Sequence, residues 1–300
     1  TSAIVIAAAA HPDEALAAQE LQQHLARISG ATIEVLRAKP EEAAASMGQQ
    51  VGRKAVPILL GSPALSSDLE QAIRAQGGDP GSFAVKVDGE SVRVAGLSPE
   101  GTLFGVYELL EQLGVRWFMP GDLGTVIPTA KTVTVRVQTT VQVPSFTGRW
   151  HTGGARDPWQ RRVRMGGPYF PSCHGIKIGK VSVADHPAYF ALRNGERSSS
   201  QLCVSNPEVL RLATENAAEF FRKNPDQPWC GMGPNDGGGF CECLNCRALD
   251  GGDWDPFSNE LSVTDRYVWF FNRVLEGIKD EFPDKKLCFY VYANYMRPPV

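Results

Sequence analysis

The chain has 300 residues, 43% hydrophobic and 21% charged, with 30 Lys+Arg against 33 Asp+Glu for a formal net charge of −3. That is the balance of an ordinary globular protein, and without a Lys/Arg cluster interleaved with aromatics it argues against nucleic acid as a partner. No apolar run approaches the roughly 20 residues a membrane span needs, and the length exceeds what one core usually organises, so two domains are expected.

Residues 1–143 alternate strand and helix signals. SAIVIAAAA has no basic start and runs straight into a helix-opening Pro12-Asp13, so it is read as a first strand, with any signal peptide already removed. The helix that follows carries Ala17, Leu21, Leu25 and Ile28 on one face and stops at Gly30. ATIEVLR and AVPILLG read as strands, and SFAVKVDGESVRVAG reads as a hairpin turning at Asp88-Gly89. PEGTLFGVYELLEQLG then gives a helix with Leu103, Tyr107, Leu110 and Leu113 on one face. An extended Val/Thr/Pro-rich stretch closes this small αβ domain.

From residue 144 the rhythm changes. FTGRWHTGG and SSSQLCVSN read as strands, and Asn206-Pro207 caps a helix to Lys223 that buries Leu210, Ala213, Ala217 and Phe220. Strand PWCGMGP leads into the loop GPNDGGGFCECLNC; a helix with Tyr267, Phe271, Val274, Ile278 and Phe282 on its buried stripe follows, and KLCFYVYANY is the last strand. Strand, loop, helix, strand is the rhythm of a parallel (β/α) TIM-type barrel. The expected fold class is therefore α/β, with the small domain over 1–143 and the first part of a barrel over 144–300, truncated at Val300; an open, doubly wound sheet is the alternative.

Barrel chemistry sits on loops beyond the strands' C-terminal ends. That rule nominates Arg149, Trp150 and His151; His174; Cys203 and Asn206; Asn235 and Asp236; and Tyr290, Tyr292, Asn294 and Tyr295. Aromatic faces among hydrogen-bonding groups suit a sugar, whose apolar faces are edged with hydroxyls. Pro-Asn-Asp-Gly is also an ordinary turn sequence in which Asp caps backbone amides. The Gly triplet lacks phosphate-loop spacing and reads as backbone that approaches a ligand. LDGGDWDPFSNE fails the EF-hand spacing and reads as a solvated acidic loop, and Arg161, Arg162 and Arg164 read as a solvated face. Cys241, Cys243 and Cys246, with Cys230 or Cys203 as a fourth, could ligate a structural zinc, pair as disulfides or stay free.

The run HPAYFALRNGER, then QLCVSNPEV, then GPNDGGGFCECLNC resembles the bacterial domain of unknown function 4838, associated with glycoside hydrolase family 163. GTLFGVYELLEQLGVRWFMPGDLGTVIP resembles the end of the small domain that precedes the barrel in alpha-glucuronidases and beta-hexosaminidases. The resemblance implies a secreted or periplasmic glycoside hydrolase with a glycan or glycoprotein substrate. The implied activity is that of an endo-β-N-acetylglucosaminidase on complex N-glycans, with no cofactor required for the chemistry. A substrate-assisted mechanism then assigns Asn235 to orient the acetamide and Asp236 as the acid, or Asp236 as the orienting group with an acid elsewhere. The alternatives are a non-catalytic carbohydrate-binding protein and a glycosidase of uronic-acid-containing glycans. A secreted setting favours one or two disulfides, such as Cys203 with a loop cysteine, over zinc.

Overall fold

The computed structural model describes residues 2–38, 56–151, 158–170 and 172–300. They form two compact units, Thr1–Tyr169 and Phe170–Val300, and no described helix is long and apolar enough to cross a membrane.

The first unit is built on a six-stranded sheet of β1 (Ala3–Ala7), β2 (Glu34–Ala38), β3 (Ile58–Leu60), β4 (Phe83–Val87), β5 (Val92–Gly96) and β6 (Gln138–Gln142). Its order is β2-β1-β3-β5-β4-β6, with the first three pairings parallel and the last two antiparallel. Alternate side chains point to opposite faces of a strand, and the apolar runs show why both faces are covered. Ile4, Ile6, Ile58, Leu60, Phe83, Val85, Val92 and Val94 pack with α1 (Pro12–Ser29) and α3 (Pro99–Gln112) on one face. Val5, Leu59 and Ala95 turn to the other, where Ala84 meets Leu69 and Ile73 of α2 (Ser67–Arg74).

The expected stripes hold: Ala17, Leu21, Leu25 and Ile28 of α1 and Leu103, Tyr107 and Leu110 of α3 are buried. Gly30 ends α1 in the left-handed region at φ 75°. The helix opens at Pro12 as expected, with a cap the sequence reading did not name: His11 is the N-cap, its ring accepting from Asp13 N–H while Glu14 accepts from His11 N–H. Gly96 and Gly101 let strand end and helix start approach closely, since a Cβ on Gly96 would lie 2.4 Å from Gly101 carbonyl carbon.

This first unit runs past Val143 to Tyr169. Where FTGRWHTGG suggests a strand, there is only a single bridge between Arg149 and Gly166; the stretch 152–154 of that motif lies outside the described residues. The expectation of a solvated arginine face is also corrected. Arg162 pairs with buried Glu20, and Arg164 with Glu108 and Glu111, because the segment folds back on α1 and α3.

In the second unit, β7 (Phe190–Arg193) and β8 (Glu196–Leu202) form an antiparallel hairpin through Asn194 and Gly195, both at positive φ. The strand expected at SSSQLCVSN is present over 198–202, but it pairs antiparallel with the segment just before it, through an Asn-Gly hairpin signal, and not in the parallel order a barrel requires. Helix α4 (Pro207–Lys223) packs on α6 (Thr264–Ile278), α5 being the single turn Leu244–Arg247 between them. α4 buries Val209, Ala213, Ala217, Ala218 and Phe221, a face rotated slightly from the expected one, which leaves Leu210 and Phe220 half-buried. β9 (Trp229–Gly231) and β10 (Lys286–Cys288) run parallel and adjacent, Cys230 opposite Leu287. Among the described residues the protein is thus mixed α/β with a mostly parallel central sheet in its first unit, and no sheet closes into a barrel.

The acidic stretch at 250–255 is not a solvated loop. Asp250 pairs with Arg266, which is 3% exposed, Asp253 pairs with Arg297, and Asp255 is buried with its carboxylate accepting from Phe257 N–H.

Candidate functional site

The loops leaving β9 and β10 carry the candidate site. Because the two strands are parallel neighbours, whatever follows Gly231 and Cys288 emerges at the same end of the pair. Asp236 follows the first strand and Tyr292 the second. The Tyr292 hydroxyl donates to Asp236 Oδ1, and Gly237 N–H donates to the same oxygen at 3.0 Å. His174 Nε2 lies 3.8 Å away. Its other ring nitrogen, Nδ1, is 3.3 Å from Pro234 carbonyl oxygen; a carbonyl only accepts, so Nδ1 carries the hydrogen.

These contacts fix the electrostatics. The Tyr292 hydrogen bond first, then the His174 charge and the Gly237 amide, hold the Asp236 carboxyl below its ordinary value. The same bond raises the Tyr292 phenol. The Asp236 side chain is 77% exposed, so the desolvation that opposes its ionisation is the smallest of these influences. A proton donor at neutral pH needs the reverse, a carboxyl raised by burial or a like charge.

Around this carboxylate stand aromatic faces. The His174 ring is 4.8 Å from Tyr290 and 5.8 Å from Tyr292, and Tyr290 meets Tyr292 at 90°. Tyr295, nominated as a sugar contact, is instead buried at 1% against Phe240, Tyr267 and Tyr292, and Asn294 is buried beside it. Burial follows from the 3₁₀ turn Ala293–Tyr295, which turns both side chains away from solvent.

Asn235 donates from Nδ2 to Ser200 carbonyl oxygen, and it lines a cavity of about 380 Å³ with Lys177, Asn216, Phe190 and Leu202. Its backbone is held by a residue the sequence reading missed. Gln201, 1% exposed near the end of β8, accepts from Asn235 N–H at 2.9 Å and donates to the carbonyls of Asn235 and Gly237. No sequence signal marks it, because β8 (ERSSSQL) carries no alternation that would announce an inward-facing glutamine. Within the triplet Gly237–Gly239, only Gly239 makes a close approach, to Ser200 and not to open space: a Cβ there would meet Ser200 Oγ at 2.6 Å.

Other nominated residues have different work. Asn206 caps α4, accepting from Glu208 N–H and donating to Ala188 carbonyl oxygen. Arg149, Trp150 and His151 belong to the first unit: Arg149 donates to the carbonyls of Phe146 and Arg164, Trp150 to that of Gly167, and His151 packs on Trp159.

Six of the seven cysteines fall into two groups, Cys173 standing outside both. Cys230 and Cys288 sit on the parallel pair, both thiols raised to about 11 by burial. Cys203 joins Cys241, Cys243 and Cys246, and none of the seven cysteines is disulfide-bonded. Hydrogen bonding with Cys241 and then Cys246 draws the Cys203 thiol well below its ordinary value, and the same crowding pushes Cys246 up.

The family model described as domain of unknown function (DUF4838) matches residues 119–300. No curated protein matches the chain. Among solved structures, the chain is similar to a family GH115 4-O-methyl-alpha-glucuronidase with specificity for decorated arabinogalactans, at 14% identity and TM-score 0.41, covering 95% of this chain and 41% of that one. It is also similar to a GH138 enzyme targeting pectin rhamnogalacturonan II, at 12% identity and TM-score 0.29, covering 93% and 23%. The chain spans less than half the length of either, and at these scores both likenesses are remote.

Proposed function

The chain belongs to the DUF4838 family, and from that premise we propose that its second unit is the substrate-handling part of a glycoside hydrolase acting on N-acetylglucosamine-containing glycans. The observation that carries this reading is the Tyr292–Asp236–His174 constellation: an exposed, ionised carboxylate fixed by two donors and flanked by aromatic rings at the end of a parallel strand pair. Rings of this kind stack on a sugar face while the carboxylate takes its polar edge. Asp236 and Tyr292 both follow the C-terminal ends of adjacent parallel strands, which supports a (β/α)-barrel arrangement for the whole catalytic domain.

The electrostatics favour one of the two roles open to Asp236. In substrate-assisted hydrolysis the 2-acetamido oxygen attacks the anomeric carbon as the glycosidic bond breaks. The leaving oxygen takes a proton, and water then opens the cyclic intermediate. Positive charge builds on the acetamido group, so a carboxylate that stays ionised and accepts its N–H stabilises the transition state. Asp236 fits that task. The proton for the leaving oxygen comes from a separate acid.

The test is release of reducing sugar from a complex N-glycoprotein, run beside a uronic-acid-containing glycan. Release from the first, slowed when the acetamido methyl is replaced by trifluoromethyl, is the expected result. Glycan binding without release would make the protein a binding module, and release from the uronic-acid glycan alone would overturn the substrate.

A further inference from the structure

Four thiols converge in the second unit from distant parts of the chain. Cys203 follows β8, forty residues before Cys243, while Cys241, Cys243 and Cys246 lie on the loop and short helix after β9. Their sulfurs are all within 4.8 Å of one another; Cys203, Cys241 and Cys246 are buried and Cys243 is half-buried. Cys203 Sγ is 3.7 Å from Cys243 Sγ and 3.8 Å from Cys246 Sγ. Four thiolates on a tetrahedral zinc at about 2.3 Å have edges of about 3.8 Å. A disulfide instead commits each sulfur to one partner at about 2.0 Å. A sulfur equidistant from two others has the placement of a tetrahedron's corner.

The surroundings are those that thiolates need. Leu192 N–H donates to Cys241 Sγ at 3.3 Å, and Cys246 N–H to Cys243 Sγ at 3.4 Å across the C-x-x-C turn. Ser205 Oγ lies 3.1 Å from Cys246 Sγ and 3.6 Å from both Cys203 and Cys243, so its hydroxyl can turn to donate once the sulfurs ionise. Arg266, itself paired with Asp250, donates to Cys241 carbonyl oxygen and so fixes the backbone of that cysteine. Outer donors of this kind orient metal ligands and offset the charge of a four-thiolate site.

We infer that Cys203, Cys241, Cys243 and Cys246 form a closed structural zinc site that ties the end of β8 to the loop carrying Asn235 and Asp236. All four coordination positions are filled by sulfur, leaving none for substrate, and an all-thiolate set disfavours calcium and magnesium. Loading exchanges the thiol protons for one Zn²⁺, with no electron transfer. The site involves none of the side chains in the proposed hydrolytic chemistry and stands or falls separately from it.

The experiment is elemental analysis of the chain purified without chelator, followed by release with a mercurial thiol reagent and exchange with Co²⁺. One zinc per chain, freed by the mercurial, and the intense visible absorption of tetrahedral cobalt tetrathiolate are expected. Cys203→Ser loses the metal, whereas Cys173→Ser, outside the cluster, keeps it. If Cys203→Ser does not fold, the wild-type cobalt spectrum decides. A reduced chain that takes up neither metal, or an intact mass showing disulfides among these four cysteines, overturns the site.

Discussion

Tyr292 and Asp236 join the loops of two neighbouring parallel strands through one hydrogen bond, phenol to carboxylate. That bond is the largest of the influences holding the Asp236 carboxyl low. It follows that Tyr292→Phe raises the Asp236 pKa. An activity that requires ionised Asp236 persists as pH falls until that pKa is crossed, so in Tyr292→Phe the acid limb of kcat/KM moves to higher pH. A pH–rate profile of both proteins measures it; an unmoved limb would mean that the bond does not control the carboxylate.

Gln201 is the keystone of the same loop. Replacing it by Leu leaves Asn235 N–H without its acceptor and two carbonyls without their donor. Water reaches the exposed Gly237 and part of Asn235, so the combined cost is that of about one buried polar group left unpaired, about 1–3 kcal/mol. Urea denaturation is expected to show a loss in that range, together with weaker glycan binding. Unchanged stability would show that the loop finds other partners.

Arg266 and Asp250 form a buried pair, the two side chains 4% and 9% exposed. Asp250→Ala leaves the guanidinium uncompensated, and breaking such a pair costs about 3–5 kcal/mol. The double variant Asp250→Ala/Arg266→Met recovers part of that loss, because no lone charge stays behind. Denaturant midpoints of the single and double variants compare the two.

In the first unit His24 is buried beside Glu20 and Arg162, its Nδ1 bonded to Glu20 carbonyl oxygen, and burial lowers its pKa below 6.5. The unfolded chain therefore binds a proton that the folded one resists. Stability from this residue is present above about pH 6.5 and is lost as pH falls toward the folded pKa, at no more than about 1.4 kcal/mol per pH unit. Thermal melts from pH 8 to 5 are expected to steepen below 6.5 in wild type and to flatten in His24→Leu.

Much of this fold was legible because its signals are periodic. The alternation of large apolar with small or charged residues in Phe83–Val87 and Val92–Gly96 arises because the large side chains share one face, and the stripe of α1 because one side of the helix is buried against them. The hairpin at Asn194-Gly195 was not found, although its turn residues are plain, because the Ser-rich stretch of β8 has no apolar alternation to announce two strands. Asn235, Asp236, Tyr290 and Tyr292 were nominated by strand-end logic that needed only the order of elements, while His174 lies on an irregular segment that no strand precedes. Gln201 was missed because its partners lie 34 residues or more away in sequence, whereas Cys203 was already one of two candidates for the fourth place beside Cys241, Cys243 and Cys246, and the fold brings it there rather than Cys230. Tyr295 was misassigned for a related reason: a one-turn 3₁₀ segment reverses the side-chain direction that an extended strand would give.

Asp236→Asn tests the proposed chemistry most directly. Asparagine keeps the shape and can still accept from Tyr292, but it removes the charge that is to stabilise the acetamido group. Initial rates of reducing-glycan release from a complex N-glycoprotein are expected to fall by about 10²- to 10³-fold in kcat, with glycan binding retained. A variant that keeps more than about a tenth of the wild-type rate would contradict a role for the Asp236 carboxylate in the reaction.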